Sequence, residues 1–186
     1  MPVSGRIEER VGIPDGVEVA VEGDTVIVSS QGIILERCFG HPLVSVQKDG
    51  DEVVVSCEFP KKKEAALAGT FASHIRNMIL GAAKGFECTM RIVYSHFPMK
   101  VSVNEEQKIV LIENFLGERH HRKARIMGET EVTIKGDTLK LRGNSKEDVG
   151  QSAANIEQAT KIRGYDPRVF QDGIYVIEKP RVQENE

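Results

Sequence analysis

Apolar and polar residues alternate along this chain in short runs that come in pairs. Val17, Val19 and Val21 are separated by acidic or small residues, a Gly23-Asp24 turn follows, and residues 25–28 resume the apolar pattern. Alternation with a period of two around a short Gly/Asp turn predicts a β-hairpin, since successive strand side chains face opposite sides of a sheet. The plan returns in the second half as residues 98–103, the turn 104–107 and residues 108–112. A second hairpin follows each of these. Residues 44–48 and 53–56 flank Asp49-Gly50-Asp51, and residues 132–135 and 139–141 flank Gly136-Asp137.

The period then changes. Leu67, Phe71, Ile75, Met78, Ile79 and Ala82 recur at spacings of three and four, which lines one face of a helix. Val149, Ala153, Ile156 and Thr160 repeat that spacing in the second half, behind a start signal in which Ser145 precedes Asp148 by three residues. A glycine follows each helix, Gly85 or Gly164, and residues 86–94 alternate again as a strand.

This duplication predicts an α+β fold of two tandem duplicated domains, each a small antiparallel sheet packed on one main helix. Residues 1–14 read as an N-terminal arm, 15–95 as the first repeat, 96–177 as the second and 178–186 as a charged tail. The boundary is expected near Ser95-His96-Phe97-Pro98, where proline disfavours a continuing element.

Composition adjusts this picture in three ways. Hydrophobic residues make up 40% of the chain and Trp is absent, so the core rests on Val, Ile, Leu and Ala. The formal net charge of −3 speaks against bulk nucleic-acid affinity, which leaves local clusters as the informative feature. Cys38, Cys57 and Cys88 match no zinc spacing and read as reduced thiols, mostly packed. With no signal peptide and no apolar run near the ~20 residues that span a bilayer, a cytoplasmic protein without membrane contact is expected.

Two clusters stand out. Lys161, Arg163, Gly164, Tyr165, Asp166, Pro167, Arg168, Gln171 and Asp172 form a loop between the second helix and an apolar strand. Its cations suit phosphate, its tyrosine suits stacking on a base or ribose, and Asp166 and Asp172 are placed to orient the neighbouring guanidinium groups. Gly164 and Pro167 shape the backbone. A solvated charged loop is the plain alternative. In the run 119–125, Arg119, Arg122, Lys123 and Arg125 read either as an exposed strand face or as a further RNA contact. His120 and His121 point to opposite faces of a strand, so no metal site is expected there. His74 falls within the first helix pattern and reads as a core or interface side chain. Lys61-Lys62-Lys63 reads as a solvated turn.

The chemistry of catalysis is missing from the pattern. There is no Gly-x-Ser-x-Gly elbow, no suggested Cys-His pair and no nucleotide-binding glycine loop, so no catalytic residue, cofactor or small-molecule substrate is expected. An unrecognised enzyme and a protein-binding adaptor are the competing classes. A deep pocket with perturbed carboxylates would mark the first, and a dry apolar patch the second.

The duplicated plan, the helix segment 69–81 ending at Gly85-Phe86, and the closing run Arg168-Val169-Phe170-Gln171-Asp172-Gly173-Ile174-Tyr175 together resemble the family of the sixth protein of the large ribosomal subunit, in its archaeal and eukaryotic branch. Tyr94-Ser95-His96-Phe97-Pro98-Met99 and residues 112–118 resemble the same branch. The resemblance implies a structural protein bound to large-subunit rRNA near the stalk base and sarcin–ricin region. Its neighbours would be other large-subunit proteins, with translational GTPases docking nearby. It also implies that the second domain makes most of the RNA contact through its final loop, here Lys161 through Asp172. Where the bacterial branch is Gly- and Lys-rich, this chain has Arg163-Gly164-Tyr165-Asp166-Pro167-Arg168. A non-ribosomal RNA- or protein-binding adaptor on the same fold is the alternative.

Overall fold

The first half's strands are β1 (Arg6–Gly12), β2 (Glu18–Glu22), β3 (Thr25–Ser30), β4 (Ile33–Cys38), β5 (Val44–Asp49) and β6 (Glu52–Glu58), with valines spaced two apart in β2, β3, β5 and β6. Helix α1 (Lys62–Ala83) comes next. The second half continues with β7 (Phe86–Val93), β8 (Lys100–Asn104), β9 (Ile109–Glu113), β10 (Arg122–Arg125), β11 (Glu131–Lys135), β12 (Thr138–Gly143), α2 (Lys146–Ala159) and β13 (Gly173–Val182). These assignments come from a computed structural model that describes residues 5–95, 97–166 and 168–183. The expected boundary residue His96 and the loop residue Pro167 lie outside the described residues.

The chain divides into two units, Met1–Lys84 and Gly85–Glu186. Each is α+β, with every strand pairing antiparallel. In the first unit the strands form sheets in the order β1-β6-β5 and β2-β3-β4; in the second, β11-β12-β7-β13 and β10-β9-β8. Each repeat thus splits its strands between two short sheets that share one helix.

Helix position follows from the stripe. On α1, Ala68, Ala72, Ile75 and Ile79 are buried in the cluster that holds Val26, Val28, Val53 and Val55. On α2, Val149, Ala153 and Ile156 join Met90, Leu139, Leu141 and Ile174. Burying each large aliphatic side chain contributes roughly 1.5–3 kcal/mol. The alanines let helix and sheet approach closely, so valines suffice to fill the layer. At the start of α2, the Ser145 hydroxyl accepts from the Asp148 amide at 3.2 Å, as a cap should.

Three expected boundaries move, each for a reason of strand pairing. Residues 6–12 form no arm: β1 pairs with β6 along its length and buries Val11. The strand after the first helix belongs to the second unit, where β7 lies between β12 and β13. Residues 178–182 extend β13 along β7, so this part of the expected tail is sheet. The repeat therefore begins one strand earlier than the hairpins suggest. β1 beside β6 corresponds to β7 beside β12, and β13 is an added edge strand with no counterpart among the described strands of the first unit.

All three cysteines are free; Cys38 is exposed, while Cys57 and Cys88 are buried. Burial, then the charges of Glu157 and Glu178, pushes the Cys88 thiol up to about 11. Its Sγ donates to the Glu178 carbonyl at 3.2 Å. A thiol reagent at pH 8 is therefore expected to modify Cys38 rapidly in the native protein and the other two only after unfolding. Rapid native labelling of Cys88, read by peptide mass, would contradict this packing.

Candidate nucleic-acid interface

The final loop is tied at its base by one hydroxyl. Thr160, the residue that ends α2, is buried at 3% exposure. Its Oγ1 lies 3.3 Å from the Ile156 carbonyl and 3.2 Å from that of Glu157, to which it donates, and it accepts from the Ile174 amide at 3.0 Å. A threonine hydroxyl has one proton and two lone pairs, so it satisfies a helix end and a strand start together. The residues between them leave and return to one point.

Asp172 tightens the return. It is buried at 1% exposure, and its Oδ1 accepts from the Ser95 amide at 2.9 Å. Its Oδ1 thus turns inward to a backbone donor, whereas its place beside the cations suggests a role at the loop surface. Asp166 also acts on backbone: its Oδ1 accepts from the Arg168 amide at 2.9 Å, and its carbonyl accepts from the Val169 and Phe170 amides at 3.1 and 3.0 Å. This folds the loop's tip into a turn. Gly164 holds φ at +80°, a left-handed conformation that side chains disfavour, with open space where a Cβ would sit. Tyr165 packs against Phe170 with ring centroids 4.9 Å apart and stays 54% exposed. Lys161, Arg163, Arg168 and Gln171 are exposed around these fixed points.

Arg122 joins the second cluster to this loop. On β10, alternation turns Arg122 and Ala124 inward and leaves Lys123 and Arg125 exposed; Arg119, before the strand, is exposed too. The Arg122 guanidinium grips Glu118 through Nε and Nη2, at 2.8 and 2.5 Å. Its Nη1 donates to the carbonyls of Ala159 at 2.8 Å and Lys161 at 3.2 Å, and the group lies 4.1 Å from the Phe115 ring centroid. A cation over the last carbonyls of α2 complements the helix dipole. With most of its N–H groups and one face engaged inside the protein, Arg122 is a clamp, whereas its place among the basic residues suggests a free phosphate contact. Nothing in the linear order distinguishes it from Lys123. Thr160 was legible only as the last member of a helical stripe.

Side chains of α2 cover the rest of β10. Asn155 Nδ2 donates to the Arg125 carbonyl at 2.9 Å, and the Met127 amide donates to Ser152 Oγ at 2.8 Å. An open groove of about 580 Å³ runs along the loop's foot, lined by Lys161, Ile162, Phe170, Gln171 and Tyr175 with the end of α2. No group of metal-binding side chains is present among the described residues. The first unit offers a different surface. Its His74 Nδ1 lies 3.2 Å from Arg37 Nη1, half buried on α1, and Lys61, Lys62 and Lys63 are exposed. The second unit carries as many cations as acids, so the chain's acidic excess lies wholly in the first.

The hydrogen bond from Arg122, against the opposing effect of burial and aided by the charges of Arg122 and His120, holds the Glu118 carboxyl below the usual range. A lowered carboxylate pKa stabilises the fold above the unfolded value of about 4.3 and ceases to do so as pH falls through the folded value. Glu118→Gln is expected to lower the second unit's stability at pH 7 and to shrink its further loss between pH 5 and pH 3. Urea midpoints at those pH values measure this, and identical pH profiles for the two proteins would contradict the clamp.

With this geometry in place, comparison with known proteins gives a consistent answer. The family model described as ribosomal protein L6 matches residues 13–85 and 97–173, one match in each repeat, leaving β7 between them. The large ribosomal subunit protein uL6 of Methanobrevibacter smithii is 49% identical over 179 residues, covering 96% of this chain and 99% of that protein. Its counterpart in Methanosarcina mazei is 48% identical over 173 residues, 93% of this chain and 97% of that protein. That in Methanocella arvoryzae is 50% identical over 170 residues, 91% and 96%. A match in both repeats, and relatives of this identity along nearly the whole chain, place the protein in the ribosomal protein L6 family, a structural and non-enzymatic family of the large ribosomal subunit.

Proposed function

We propose that this large-subunit protein holds rRNA chiefly through its second unit, near the stalk base and the sarcin–ricin region, and thereby supports the site where translational GTPases dock. Lys161, Arg163 and Arg168 supply phosphate contacts, with Gly164 and Asp166 setting the loop's path. Tyr165 offers a ring to a base or ribose, and Gln171 a side-chain amide. Arg119, Lys123 and Arg125 extend the basic surface, while Arg122 and Asp172 hold it in shape. The single observation behind this reading is the exposure of three cations on a loop fastened at its base by Thr160. A fastened loop gives up little conformational freedom on binding, so more of the contact energy appears as affinity. Arginine suits the role because its planar fork bonds phosphate bidentately or lies flat on a base. Neighbouring large-subunit proteins complete the surroundings, and assembly takes place in the cytoplasm.

The test is binding of the full chain to a large-subunit rRNA transcript across a range of salt. Arg163→Ala with Arg168→Ala is expected to weaken binding and to flatten the slope of log K against log salt by about 0.7–0.9 for each phosphate no longer neutralised. Unchanged affinity and slope would remove the loop from the interface. Chemical protection on the same transcript tests the location, and protection confined to other regions of the rRNA would overturn it.

A further inference from the structure

The four-stranded sheet of the second unit has a helix on one face only, and its other face is built in rows. Directly paired residues of an antiparallel sheet share a face. Lys135 on β11 pairs with Thr138 on β12, Thr138 with Arg91 on β7, and Arg91 with Tyr175 on β13. The inward neighbours Leu139, Met90 and Val176 pack in the core cluster, so Lys135, Thr138, Arg91 and Tyr175 form one row on the side away from it. Lys135, Arg91 and Tyr175 are exposed along it.

The cations of this face fall into two kinds. Lys140 and Arg142 both bond Glu87, at 3.1 and 2.6 Å. Burial opposes the charge on Glu87, yet the hydrogen bonds from Arg142 and Lys140 outweigh it and hold the carboxylate below its ordinary range. These two are committed to an internal ion pair, as Arg181 is to Glu178 at 3.1 Å. Arg91 and Lys135 stand a row away, opposite threonine and tyrosine and not opposite a carboxylate.

Tyr175 connects the row to the loop. Its hydroxyl donates to the Gln171 carbonyl at 3.2 Å, and its ring lies back over Gly173, where a Cβ would sit 2.9 Å from ring carbon Cζ. Only glycine at 173 lets the ring lie along the strand, with 42% of the residue still exposed. Loop, ring and row are thus one continuous surface.

We infer that the open face of this sheet is a second part of the RNA interface, in which Arg91 and Lys135 bind phosphates and Tyr175 carries a base or ribose between them and the loop. Three strand spacings of about 4.8 Å set the row's length at about 14 Å, enough for a short stretch of single strand. Charge complementarity and continuity with the loop favour RNA over a protein partner. The inference rests on the reading of the loop as an RNA contact and extends it to residues that sit singly among apolar neighbours in the sequence.

Binding of the full chain to the large-subunit rRNA transcript, over a range of salt, separates the two. Arg91→Ala with Lys135→Ala is expected to flatten the log K against log salt slope by about 0.7–0.9 per phosphate, and Arg91→Lys to restore the Arg91 share, since it keeps the charge. Tyr175→Ala is expected to weaken binding about five- to hundredfold, whereas Tyr175→Phe, which keeps the ring, stays near wild type. If the sheet variants match wild type while Arg163→Ala with Arg168→Ala loses affinity, the sheet face is ordinary solvent surface and the loop reading stands. If neither set changes binding, both fall.

Discussion

The RNA-binding surface proposed for this protein depends on the closure made by the Thr160 hydroxyl. Without it, the chain between α2 and β13 would be a long basic segment free to sample many shapes, and ordering it would consume much of what its contacts gain. With it, the loop's ends are fixed to a buried helix end and a buried strand start. Arg122 reinforces the same point from β10, joining Glu118 to the carbonyls of Ala159 and Lys161. The cations at the loop's tip can then stay exposed, because other residues provide its order.

Duplication explains why only one unit is built this way. Each repeat has a leading strand, three strands, a hairpin and a helix, and each core packs alanines and β-branched residues, joined in the second by Met90, Phe115, Leu139 and Leu141. In the first unit α1 is followed at once by Lys84 and Gly85, and the next strand goes to the second sheet system. In the second unit the helix is followed by the loop and by β13. The added segment brings both the basic loop and the edge strand that carries Tyr175. The shared fold supplies a platform, and the segment after the second helix is what sets the second unit apart.

The hairpins and both helices were legible because their signal is local: valines two apart around Gly-Asp turns, then a three-and-four spacing, which in α2 follows a serine cap. β1 was not, since six of its seven residues are at least partly exposed and Arg6-Ile7-Glu8-Glu9-Arg10 shows no alternation that resembles a strand. It is held by pairing with β6, a partner far along the chain. The basic clusters were visible as composition, but the division of labour within them was not. Arg122 differs from Lys123 only in facing inward, and Asp172 differs from Asp166 only in being buried against Ser95. Such roles are set by which backbone groups need partners, and those become known only once the fold brings them together.

The central claim, that a fastened loop and not merely a basic one grips RNA, meets its most direct test in Thr160→Val, which keeps shape and removes the hydroxyl. Loss of that partner leaves the Ile174 amide buried and unbonded, at a cost of about 1–3 kcal/mol. Amide hydrogen exchange with rRNA affinity measured on the same protein decides the matter. Faster exchange at Ile174 and across residues 161–172, unchanged exchange in the first unit, and weaker binding are the predicted result. A loosened loop that binds the rRNA transcript as tightly as before would contradict it.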